Sequence, residues 1–113
     1  MKKLVYLIVY ILVRQGVLAQ SRNKKTETFK VYGNCEMCKS KIEGSLKKKD
    51  GIISKEWDVE SKILKVTYDT TKTTLKDIHQ KIADVGYDNE LIKAKDETYN
   101  KLHGCCKYDR SQK

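Results

Sequence analysis

The sequence contains no proline, one tryptophan, one phenylalanine and two histidines. Without proline no X–Pro bond can adopt the cis form, so any site built around a cis-proline is excluded. The longest apolar run, Leu4 to Val13, is ten residues, half of the roughly 20 needed to cross a bilayer. No internal repeat or low-complexity tract is present. No serine–histidine–acid arrangement, phosphate-cradling glycine loop or paired-carboxylate pattern occurs, which removes the common hydrolase and nucleotide-binding classes. The lysines are not interleaved with aromatic residues, as a nucleic-acid groove requires.

What is present is 113 residues, enough for one small domain with a modest core, at a formal net charge of +9 with 35% charged and 39% hydrophobic residues. The first nineteen residues hold Lys2, Lys3 and Arg14 and no acid. A basic start, a short apolar run and Val17-Leu18-Ala19 before Gln20 read as an export signal over 1–19. This predicts a protein exported to the periplasm of a Gram-negative bacterium, with no stable membrane insertion once the signal is cleaved. Residues 20–25 are polar and read as a flexible lead-in.

Periodicity then alternates between two and 3.6 residues. Thr26 to Gly33 reads as a half-buried strand with Phe29 and Val31 on one face. Glu36 to Lys49 reads as a helix carrying Cys38, Ile42 and Leu46 on one stripe, closed by Asp50-Gly51. Ile52–Val59 and Lys62–Asp69 read as a hairpin turning at Glu60-Ser61. Its inner faces are Ile53, Trp57 and Val59, with Lys55 as an exception, and Leu64, Val66 and Tyr68. Thr73 or Thr74 caps a helix striped by Leu75, Ile78, Ile82 and Val85 and ended by Gly86. Tyr87–Ala94 reads as a fourth strand, and Lys95–Leu102 as a short terminal helix. His79 reads as a surface or boundary residue and Trp57 as core. The order β-α-β-β-α-β predicts an α+β, ferredoxin-like sandwich: a four-stranded antiparallel sheet with two helices on one face, plus a short C-terminal helical tail.

That order places Cys35 in the exposed loop between the first strand and first helix, and Cys38 in the helix's first turn. Two intervening residues let both sulfurs converge on one ion. The helix N-terminus favours thiolate, and Lys39 and Lys41 add positive charge. Thiolates select soft ions. Structural zinc wants four ligands, whereas a pair suits copper(I) and leaves room for an incoming thiol. The reading is a copper(I) carrier or scavenger rather than an enzyme. Mercury(II), zinc and cadmium remain open.

Val31-Tyr32-Gly33-Asn34-Cys35-Glu36-Met37-Cys38, Lys49-Asp50-Gly51-Ile52, Leu64-Lys65-Val66-Thr67-Tyr68-Asp69 and Val85-Gly86-Tyr87-Asp88 resemble the heavy-metal-associated domain family. That family includes copper chaperones, the metal-binding domains of copper-exporting ATPases and the periplasmic mercury-binding protein. The resemblance covers about residues 27 to 94 and sets the domain at 26–94, with a tail at 95–113. It implies a ferredoxin-like fold and a metal held by Cys35 and Cys38. Tyr87 falls where many bacterial members carry an aromatic residue beside the site. The family pattern is usually Gly-Met-x-Cys-x-x-Cys. Here Asn34 alone separates Gly33 from Cys35, and Met37 lies between the cysteines.

A thiol–disulfide oxidoreductase is the rival use of the same pair. The missing proline, the different element order and the absence of Trp-Cys-Gly-Pro-Cys argue against it. Four cysteines in an exported chain also allow two local disulfides or a cross-linked set. His103, Cys105 and Cys106 form a second cluster, read either as additional metal ligands or as a tail with a disulfide. Met37 reads as a packing or loop residue beside the sulfurs, with thioether ligation open. The basic first helix, with Lys47, Lys48 and Lys49, reads as a solvated face or as steering toward an acidic partner that gives or receives the metal.

Overall fold

The computed structural model describes residues 23–112, so the export segment 1–19 lies outside the described residues. The elements are β1 (Lys24–Lys30), α1 (Glu36–Gly44), β2 (Ile52–Trp57), β3 (Ile63–Asp69), α2 (Leu75–Asp84) and α3 (Asp96–Asn100). Short 3-10 turns follow at Lys48–Asp50, Gly104–Cys106 and Arg110–Gln112. Among the described residues no helix is long and apolar enough to cross a membrane.

The sheet is antiparallel in the order β1-β3-β2. Leu64, Val66 and Tyr68 alternate inward along the central β3, as their spacing predicts. They meet Ile42 and Leu46 from the α1 segment and Ile78 and Ile82 from α2 in one core cluster. Each fully buried side chain of this size contributes roughly 1.5–3 kcal/mol, so this cluster fixes both helices against one sheet face. Trp57 is fully buried, and its indole N–H donates to the Val31 and Lys62 carbonyls at 3.0 and 3.2 Å. The hairpin turn is held by Asp58, which accepts from the Ser61 amide, and by Lys62 at φ 66°.

Several expectations are corrected. The Tyr87–Ala94 strand is absent. Only a single bridge, Val31 to Asn89, stands at the β1 edge. Asn89 and Asp88 turn their side chains back onto this segment's own amides, at Ile92 and Ala94, and so compete with ladder bonds. The sheet therefore has three strands, not four. Helix α1 stops at Gly44, not Lys49, because the Ser45 hydroxyl donates to the Ile42 carbonyl and the chain reopens before the 3-10 turn. Ile53 is exposed, because the register shifts between Ile52 and Ser54 and turns Ile52 inward instead. β1 begins at Lys24, two residues before the Thr26 expected to open the first strand. His79 is buried rather than at the boundary. Its ring stacks on Phe29, and Nδ1 pairs with the Leu75 carbonyl at 2.8 Å.

Thr74 caps α2 by accepting from the Asp77 amide at 3.1 Å, and Gly86 leaves it at φ 108°. A Cβ on Gly86 would meet the Leu102 side chain at 3.1 Å. That close approach lets the C-terminal tail lie down over the end of α2.

Candidate metal centre

Cys35 is the N-cap of α1, in extended backbone, and Cys38 lies in the first turn. Gly33 lets this loop sit on the core, since a Cβ there would stand 3.0 Å from the Trp57 ring and 3.2 Å from Cys38 Cβ. The Cys35 and Cys38 sulfurs are 3.9 Å apart. Cys38 is fully buried and Cys35 partly exposed. All four cysteines are free thiols.

The Cys38 amide facing the Cys35 sulfur holds that thiol below its ordinary pKa, against a smaller effect of burial and aided by the Met37 amide. These are the unpaired N–H groups of the helix start. The Asn34 amide donates to Cys38 Sγ at 3.3 Å. Lys39 contributes less than its position in sequence promises. Its ammonium is engaged by Glu43 and the Trp57 carbonyl, both at 2.8 Å.

The tail brings the second cysteine pair to the same place. The sulfurs of Cys35, Cys105 and Cys106 all lie within 4.8 Å of one another. Cys105 and Cys106 sulfurs are 4.0 Å apart, and the Cys105 thiol points at Met37 Sδ, 3.8 Å away. The Cys35 and Cys38 thiols point at the tail carbonyls of Cys105 and Cys106, at 3.5 and 3.9 Å. Cys106 is fully buried, and burial with the neighbouring Cys38 thiol pushes its pKa up to about 12. His103 is exposed and does not join this sulfur group. Met37 is exposed beside it.

Tyr87 is fully buried behind the sulfurs. Its hydroxyl has no nitrogen or oxygen partner among the described residues. Burial first, then the Cys38 and Cys106 thiols it faces, holds the phenol well above its ordinary pKa. Spacing did not reveal the residues that seat the tail. The Tyr108 hydroxyl accepts from the Asp88 amide and donates to the Gly86 carbonyl, at 2.8 and 2.9 Å. Arg110 pairs with the fully buried Asp88 and with Asp96. These partners are too far apart in sequence for any periodic signal. The hint in the sequence is the scatter of Tyr99, Leu102 and Tyr108 through a largely polar tail.

Chemically, the arrangement offers closely spaced thiols, one on a helix N-terminus, with Cys38 and Cys106 buried and Cys35 and Cys105 reaching toward the surface. The heavy-metal-associated domain model matches residues 28–88, and so ends before Cys105 and Cys106. The mercuric transport protein periplasmic component of Shewanella putrefaciens is 32% identical over 92 residues, covering 80% of this chain and 98% of that protein. The copper chaperone CopZ of Staphylococcus saprophyticus is 36% identical over 64 residues, covering 56% of this chain and 94% of the chaperone. A solved CopZ metallochaperone structure superposes with a TM-score of 0.55 at 33% identity, over 58% of this chain and all of the other. The three-stranded sheet with two helices on one face is thus the ferredoxin-like arrangement with one edge strand reduced to a bridge. With more than half its length under the family model, the chain belongs to the heavy-metal-associated domain family.

Proposed function

We propose that the chain binds a soft metal ion, copper(I) foremost, through Cys35 and Cys38, and carries or scavenges it without catalysis. The observation that carries this reading is the 3.9 Å separation of two free sulfurs at the start of α1. With metal–sulfur bonds of about 2.3 Å, two ligands of one ion stand roughly 3.8 Å apart in a tetrahedral site and about 4.6 Å apart in a linear one. The pair needs little movement to hold an ion. Each thiol gives its proton to solvent as its sulfur bonds the metal, and the helix N-terminus stabilises the charge that remains. Of this pair Cys35 is the more exposed sulfur and Cys38 the buried one.

The mercuric and copper relatives support soft-metal cargo. On the Cys35–Cys38 pair alone, copper(I) is preferred over zinc, because that pair supplies two ligands rather than the four of a structural zinc site. The partner is a metal donor or acceptor with sulfur ligands of its own. Lys47, Lys48 and Lys49 are exposed and form a basic end of the molecule suited to an acidic docking face. Export to the periplasm follows from the basic and apolar start of the sequence, in keeping with the name of the Shewanella relative.

The test is anaerobic titration of the reduced chain with copper(I) against a strong chromophoric chelator. One tight equivalent, lost in Cys35→Ser, is expected. Weak binding together with efficient reduction of a model disulfide would instead make the pair a redox centre.

A further inference from the structure

We propose that the C-terminal tail is part of the metal site: Cys105 and Cys106 join Cys35 around the ion, which is then held by three or more sulfurs under a closed tail. This rests on the reading of Cys35 as a ligand but adds a second ligand pair from outside the residues that the family model matches.

The first support is the sulfur geometry. A trigonal ion with bonds of about 2.3 Å requires sulfurs roughly 4.0 Å apart. Cys105 and Cys106 sulfurs stand at 4.0 Å, and both lie within 4.8 Å of Cys35 Sγ. Movements of less than about one ångström, within the reach of side-chain rotation, close this triangle. Cys38, at 3.9 Å from Cys35, stands next to it as a fourth sulfur.

The second support is independent: the tail is built into the domain. Tyr108 is buried and bonded to Gly86 and Asp88. The Tyr99 hydroxyl donates to the Tyr108 carbonyl at 2.6 Å. Arg110 reaches Asp88 and the Ala94 carbonyl. These contacts bracket Cys105 and Cys106 on both sides and fix the backbone that presents them. The Asn34 side chain also donates to the Cys105 carbonyl at 3.4 Å, tying the tail to the metal loop itself.

Two consequences follow. The coordination position that a two-sulfur carrier leaves open for its partner is filled from within. Of the tail sulfurs Cys105 belongs to an exposed residue and Cys106 to a buried one. An incoming thiolate therefore displaces Cys105 first: its sulfur–metal bond forms as the Cys105 bond breaks, with Cys105 taking up a proton from solvent. The tail sets how readily the ion is given up.

X-ray absorption of the full chain loaded anaerobically with one copper(I) tests this. The expected result is three sulfurs around copper, falling to two in Cys105→Ser/Cys106→Ser, with release to a competing chelator faster by on the order of tenfold or more. Cys105→Ser alone, at an exposed position, is expected to speed release in the same direction. Two sulfurs in the unmodified chain, unchanged in both variants, overturns the tail proposal while the Cys35–Cys38 reading stands. Failure of the unmodified chain to bind copper tightly overturns both.

Discussion

The Arg110 guanidinium closes on Asp88 with two nitrogens, 3.0 and 2.9 Å from its two carboxylate oxygens, and Asp88 is wholly buried. A fork of this kind is the strongest form of ion pair, and losing one partner strands the other charge. Arg110→Ala is expected to cost roughly 3–5 kcal/mol, read as a lowered urea midpoint. The same change should raise the reaction rate of the Cys106 thiol with a thiol reagent, since the tail loses its clamp. A midpoint within experimental scatter of the parent would show that Asp88 is satisfied without Arg110.

Gly33→Ala is expected to destabilise the chain by about 1–3 kcal/mol, the range for overpacking a filled site. The added Cβ would press on the Trp57 ring and on Cys38 Cβ, so neither neighbour is a free side-chain end. Thermal unfolding measures the loss. An unchanged midpoint would mean that the loop shifts without cost.

Tyr87→Phe separates packing from ligand chemistry. The hydroxyl has no nitrogen or oxygen partner among the described residues, so its removal should leave stability within about 1 kcal/mol of the parent. Once Cys38 or Cys106 is a thiolate, the same hydroxyl becomes a donor to a buried anion. Copper(I) affinity should then fall on the order of tenfold in the variant, the scale of one hydrogen bond to a charged group. Equal affinity in a competition titration would remove Tyr87 from the site's chemistry.

Glu43 supplies an acid-sensitive element. Burial alone would raise its pKa, but the Lys39 ammonium and the Trp57 amide together outweigh burial and leave it below the ordinary value. A carboxylate depressed on folding stabilises the protein above its unfolded pKa, and that contribution fades as pH falls through the folded pKa. Glu43→Gln should therefore be less stable at neutral pH and converge on the parent in acid. Urea midpoints at neutral and acidic pH would show this, and a constant gap between them would contradict it.

Much of the fold could be read from residue spacing because its periods are regular. Leu64, Val66 and Tyr68 alternate, Ile78 and Ile82 lie one turn apart, and Thr74 caps its helix as its position predicts. The failures have local causes. A register shift reversed Ile53, and side chains of Asp88 and Asn89 took the amides that a fourth strand needs. His79 was read from its polar type, yet a ring stacked on Phe29 buries as an aromatic does.

At the candidate site, Cys35 and Cys38 stood out by their spacing together with their place after the first strand of the β-α-β-β-α-β order, and their sulfurs are 3.9 Å apart. The approach of Cys105 and Cys106 could only be left open, because it depends on Tyr108 and Arg110 finding Gly86 and Asp88 some twenty residues away. His103 belongs to the same short stretch of sequence but is exposed and not among the grouped sulfur ligands.

The irregularity in β2 bears on how copies of the molecule behave together. β2 is an outer strand with ladder groups on one side unclaimed by β3, the kind of border onto which a second chain can add. The offset at Ile52–Ser54 bends that border, and the Lys55 ammonium turns in to the Leu46 carbonyl. A kinked, charged margin is a poor template for strand addition, which disfavours polymerisation along the sheet.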